Sequence, residues 1–83
     1  MEDGTLFADG FDRAIIGLCT ESEVPRVVYD KDLMIDELMN DGLSWEEAYE
    51  YLEFNTWNAY VGKGTPIYVQ RMSKRDIYDT LQE

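Results

Sequence analysis

Three groups of residues in this chain are of types that do chemistry. Asp30-Lys31-Asp32 followed by Asp36 places carboxylates at the alternating spacing of an oxygen-ligated cation. An EF-hand loop needs glycine at its sixth position and glutamate at its twelfth, where this chain has Ile35 and Asp41. A helix cap explains the same acids better, although Asp30, Asp32 and Asp36 leave a weakly held magnesium ion open. Paired carboxylates of the glycosidase kind are the second chemistry. With 18 Asp and Glu among 83 residues, however, two acids lying near each other select nothing. Gly62-Lys63-Gly64-Thr65 is the third, a fragment of a phosphate-cradling loop. It lacks the glycine spacing of a P-loop and runs into Pro66, so a hairpin turn is the better reading. The chain has no histidine, which removes the usual imidazole base, and Cys19 alone cannot build a zinc site. No catalytic residue, metal or cofactor is expected.

A softer signal lies further on. Asn55, Trp57, Asn58 and Tyr60 mix amide and aromatic groups as a small pocket or an interface does. Aromatic residues at these spacings are mostly core. A pocket reading would join Asp12, Tyr29, Asn55 and Tyr60.

These residues must be positioned by one small domain spanning residues 1–83, with residues 1–9 expected to be flexible. Gly10 to Arg13 leads into Ala14-Ile15-Ile16-Gly17-Leu18-Cys19, an apolar run read as a buried strand that would bury the Cys19 thiol; so short a run also fits a helix. After a polar loop containing Pro25, Arg26-Val27-Val28-Tyr29 has the content of a second strand. Asp30 caps a helix bearing Ile35, Leu38 and Met39, and Gly42 closes it. Ser44-Trp45-Glu46-Glu47 is a capping box that opens a second helix with Trp45, Ala48, Tyr49 and Leu52 on one face. So short a link between the helices makes them an αα-hairpin. Residues 57–61 and 66–72 read as two strands around a glycine turn. Ser73 starts a short terminal helix, residues 73–83, with Ile77, Tyr78 and Leu81 as its packing residues. The expected fold is therefore a small α+β domain of order β-β-α-α-β-β-α, its helical hairpin packed on a mostly antiparallel sheet.

Charge is the most informative property. The net charge is −11, while the hydrophobic fraction of 45% and the aromatic fraction of 13% argue for folding rather than a solvated tail. That balance argues against direct nucleic-acid binding, which Lys and Arg sustain. Residues 30–53 carry nine acids against Lys31, whereas residues 63–75 carry four bases and no acid. The two segments can satisfy each other or complement a neighbour. In the last helix Lys74 and Arg75 stand at the N-terminal end and Asp79 and Glu83 toward the C-terminal end, all against the macrodipole. That helix is expected to need packing, within the monomer or across a dimer. The acidic start Met1-Glu2-Asp3-Gly4 is the wrong sign for a signal peptide, and no apolar run is long enough for a membrane span, so a soluble intracellular protein is expected.

Several segments taken together resemble a family of small uncharacterised proteins from bacteriophages and bacteria. They are Phe11-Asp12-Arg13-Ala14-Ile15-Ile16-Gly17, Val28-Tyr29-Asp30, Leu43-Ser44-Trp45-Glu46-Glu47-Ala48, Leu52-Glu53-Phe54-Asn55, and Ala59-Tyr60-Val61-Gly62 with Thr65-Pro66-Ile67. The likeness covers roughly residues 10 to 69 and carries no activity with it. It implies a phage origin and action in the cytoplasm of an infected bacterium. It also marks Asp12, Asp30, Glu53, Asn55 and Thr65 as residues to test, which adds Asp30 and Thr65 to the pocket reading.

The leading expectation is a non-enzymatic protein that binds a protein partner of host or phage, with Asp36, Glu46, Glu50 and Glu53 on the contact face. Imitation of DNA against a nucleic-acid-binding target is one form of it, and homodimerisation is compatible with it. No membrane is involved. A small-molecule binder or minor enzyme using the pocket residues is the alternative, and a virion component the third reading.

Overall fold

The computed structural model describes residues 4–82. Two strands, β1 (Ile15–Cys19) and β2 (Arg26–Asp30), precede two helices, α1 (Lys31–Asn40) and α2 (Trp45–Leu52). A π-helical turn (Glu53–Trp57), strand β3 (Ile67–Val69) and helix α3 (Lys74–Leu81) complete the chain. The domain is α+β, as its pattern predicts.

The sheet departs from expectation in one strand. Its order is β1-β2-β3, with β1 antiparallel and β3 parallel to β2, so it is mixed rather than mostly antiparallel. Residues 57–61 form no strand, and the expected fourth strand and its hairpin are absent among the described residues. The cause lies at the end of α2. Asn55 Nδ2 donates to the Tyr51 carbonyl at 3.0 Å and Asn58 Nδ2 to the Glu53 carbonyl at 3.0 Å. These amides satisfy carbonyls that a helix terminus leaves open, and the chain stays wound instead of extending. Trp57 is thereby turned onto α1, where its indole N–H meets Met34 Sδ at 3.4 Å and Lys31 Nζ lies 4.7 Å from its ring centre. The helical pair then serves as the long crossover that parallel strands require.

The core is built where β2 meets the helices. Ala14, Val27, Tyr29, Met34, Ile35, Ala48 and Leu52 are buried. Leu38 and Leu43 pack against them at the end of α1. There Gly42 takes φ +109°, its N–H bonds the Met39 carbonyl and the Leu43 N–H bonds the Leu38 carbonyl. That is the glycine-closed helix end its sequence predicts. The capping box also forms: Glu47 N–H donates to Ser44 Oγ at 3.1 Å and Ser44 N–H to Glu47 Oε1 at 2.8 Å.

The run from Ala14 to Cys19 does make a strand, but an outer one. Ile15, Ile16 and Leu18 stay exposed and Cys19 is only half-buried, which corrects the buried-strand reading. In so small a sheet only the central strand has neighbours on both sides, and the apolar run sits at its rim.

The segment leading into β1 is held at three points. Thr5 Oγ1 donates to the Pro25 carbonyl, Leu6 N–H to the Gly64 carbonyl and Ala8 N–H to Tyr29 Oη. Within the stretch 1–9 that is expected to be flexible, residues 5–8 make these hydrogen bonds to distant segments; residues 1–3 lie outside the described residues. Gly64 has to be glycine, because a Cβ there would run into the Gly4 carbonyl. Tyr29 itself is fully buried. Tyr29→Phe keeps the packing but strands the Ala8 N–H, and is expected to cost about 1–2 kcal/mol in urea unfolding. An unchanged urea midpoint would show that water replaces the phenol at no cost.

The expected terminal helix is present as α3. Ser73 Oγ accepts the Asp76 N–H at 3.1 Å as a cap. Ile77, Tyr78 and Leu81 are nonetheless 44%, 55% and 74% exposed, so none of them is buried within the monomer. The contrary charge at Glu83 lies outside the described residues.

Candidate acidic docking surface

The outer face of α2 follows directly from helical spacing. Ala48 and Leu52 point into the core, which turns Glu46, Glu50 and the following Glu53 and Phe54 outward. Glu47, Glu50, Tyr51, Glu53, Phe54, Asn55 and Asn58 line an open groove of about 710 Å³ along this face. Phe54 is 90% exposed, and Tyr51 is half so. Two aromatic rings thus share the groove with three carboxylates and two side-chain amides, a composition that offers apolar contact beside acidic groups. On the neighbouring face Trp45 stacks on Tyr49 at 5.2 Å, and Tyr49 meets Trp57 edge-on at 5.5 Å. That aromatic row links α2 to the π-helical turn that continues it.

Of the expected contact residues, Glu50 and Glu53 line this groove, whereas Asp36 and Glu46 are exposed outside it. Glu47 belongs to the groove while its carboxylate also closes the capping box. Sequence reasoning passed over Tyr51 and Phe54. The signal for Phe54 was present: continuing the helical period past Leu52 sets it opposite the buried face.

The residues of the pocket reading are not drawn into one cavity. Asp12 is exposed in a short helical turn before β1. Tyr29 is sealed in the core, its phenol pKa raised chiefly by burial. Asn55 caps α2, as described. Thr65 staples its own loop, with Oγ1 donating to the Gly62 carbonyl at 2.6 Å and accepting the Val61 N–H at 2.9 Å. Thr65 and Tyr60 border one shallow depression, and Thr65 and Asn55 another.

Asp30 has a structural position. It is 3% exposed, and its Oδ1 accepts the N–H groups of Asp32 and Leu33 at 2.8 and 3.1 Å. Its Oδ2 accepts from Arg71 Nε at 2.6 Å. Burial alone would raise the pKa of this carboxyl. The Arg71 guanidinium and the two backbone N–H groups outweigh that and hold it below its ordinary value. The same pair joins the acidic segment to the basic one, the single point at which they satisfy each other among the described ion pairs. Lys63 reaches Glu23 instead, and Arg13 reaches Glu37 at 3.9 Å.

Cys19 Sγ lies 3.6 Å from Ser22 Oγ, and that hydrogen bond is the largest influence lowering its pKa. Among the described residues no three acidic or thiol side chains converge to hold a metal ion. Among the described residues no helix is long and apolar enough to cross a membrane. Comparison of the chain with family models, curated proteins and solved structures finds no match to any of them.

Proposed function

We propose that this chain is a non-catalytic interaction protein whose acidic α2 face docks a basic surface of a protein partner. The observation that carries this reading is the groove itself, which Glu47, Glu50 and Glu53 line together with the exposed rings of Tyr51 and Phe54. Carboxylates raise the encounter rate with a basic partner, and desolvated aromatic rings supply most of the affinity. The acids along α1 and α2 also support a DNA-mimicking form, in which a nucleic-acid-binding protein is the target; direct nucleic-acid binding is disfavoured by a net charge of −11. The sequence likeness to small phage and bacterial proteins supports a setting in the cytoplasm of an infected bacterium and a partner of host or phage origin.

Reversing Glu46, Glu50 and Glu53 to Lys is expected to abolish capture of the partner, at least tenfold in affinity, while the far-ultraviolet circular dichroism stays unchanged. Wild-type capture should weaken steeply as salt rises. Capture by the reversed variant equal to that of the wild type removes the acidic face from the function. A defined probe, a Lys-rich amphipathic peptide, gives the same comparison without a cell extract.

A further inference from the structure

The groove has a counterpart elsewhere on the same chain. At helical spacing, Lys74, Ile77, Tyr78 and Leu81 share one side of α3, with Arg75 at its edge. Asp76, Asp79 and Thr80 fall on the opposite side. The apolar stripe of this helix is therefore flanked by bases, and its acids face away. Lys74 Nζ lies 5.8 Å from the centre of the Tyr78 ring, which keeps charge and aromatic surface together.

Nothing in α3 is buried, and it packs extensively against no other element. Eight residues fall short of the roughly 12–15 at which an isolated helix becomes even marginally stable in water. An uncovered apolar stripe on so short a helix calls for a partner surface. The surface it fits combines apolar rings with acidic groups, and the groove lined by Tyr51, Phe54, Glu47, Glu50 and Glu53 is of that composition. The helix N-terminus adds its own positive end to Lys74 and Arg75 in facing those carboxylates. The match is not made within one chain. Arg71 is held by Asp30 at the start of α1, and among the described ion pairs none joins Lys74 or Arg75 to α2.

We infer that the α2 groove receives helix α3 of a second copy of this chain. Ile77, Tyr78 and Leu81 seat against Tyr51 and Phe54, and Lys74 and Arg75 enter among Glu47, Glu50 and Glu53. Two such contacts exchanged across a two-fold axis close a dimer. This inference rests on the reading of the α2 face as a docking surface and names its occupant.

Sedimentation equilibrium on the full chain over a range of concentrations tests it, with two charge-reversed variants. The wild type should pass from its 9.7 kDa monomer mass to twice that mass as concentration rises. K74E/R75E sets an acidic helix against an acidic groove, and E50K/E53K, which leaves the capping-box Glu47 in place, sets a basic helix against a basic groove, so each alone should remain monomeric. An equimolar mixture restores both contacts and should recover the dimer. A wild type that is monomeric throughout, a K74E/R75E variant that still dimerises, or a mixture that stays monomeric overturns the inference. The peptide probe separates the two levels of the reading. A monomeric chain that still captures the peptide through its α2 acids loses only the second copy as occupant, whereas one that captures no peptide loses the docking surface as well.

Discussion

Asp30→Ala is expected to destabilise the domain by about 2–4 kcal/mol, an appreciable share of the total for a chain of this size. The magnitude combines a lost N-cap, about 1–2 kcal/mol, with a lost charge-assisted hydrogen bond to Arg71, about 1.5–3 kcal/mol before screening. Arg71 is 63% exposed on its side chain, so its guanidinium returns to water and the second contribution falls toward its lower end. The damage is not local, because Asp30 ends β2, starts α1 and anchors the segment leading to α3. The same group predicts an acid dependence. Its folded pKa lies below the ordinary 3.8, so its stabilisation is complete above that value and is lost as pH falls through the folded pKa. Urea unfolding at a series of pH values reads both effects. Wild type and Asp30→Ala should converge toward low pH, and a gap that stays constant from neutral pH to pH 2 would contradict the assignment.

Leu52→Ala should cost about 2–5 kcal/mol, because it opens a cavity among fully buried neighbours. Leu52 is where α2 passes into the π-helical turn, with its side chain in the same cluster as Tyr29, Met34 and Ala48. Phe54→Ala, two residues on, removes a larger side chain that is already in water. It should leave the urea midpoint within about 0.5 kcal/mol of wild type. It should at the same time weaken dimerisation and peptide capture, since Phe54 supplies apolar surface to the groove. A Phe54→Ala variant that unfolds readily would make that ring part of the core and undo the description of the α2 face.

Local chemistry was legible without the fold. Ser44 with Glu47, Gly42 after Asn40, Asp30 before Lys31 and Ser73 before Lys74 each announce a helix end through hydrogen bonds made within a few residues. The central strand was legible too, from Val27, Val28 and Tyr29. Sequence and structure part where a local pattern fits two outcomes. Residues 57–61 have strand composition, but the amides of Asn55 and Asn58 keep the preceding turn wound and send Trp57 onto α1. The Ile15–Cys19 run was correctly a strand, yet its place in the sheet depends on which strand pairs with which.

What the amino-acid sequence determined by itself is the three helices with their capped starts, the central strand and the separation of acidic from basic segments, because these depend on residues close together in the chain. What only the tertiary structure decided is which side chains are left in water. Phe54, Ile77 and Leu81 have the same apolar character as Leu52. Burial depends on neighbours from distant segments, and the core closes around Tyr29, Met34 and Leu52 without them. The chain thus exposes two apolar surfaces with charges of opposite sign, each without a large counterpart in its own monomer.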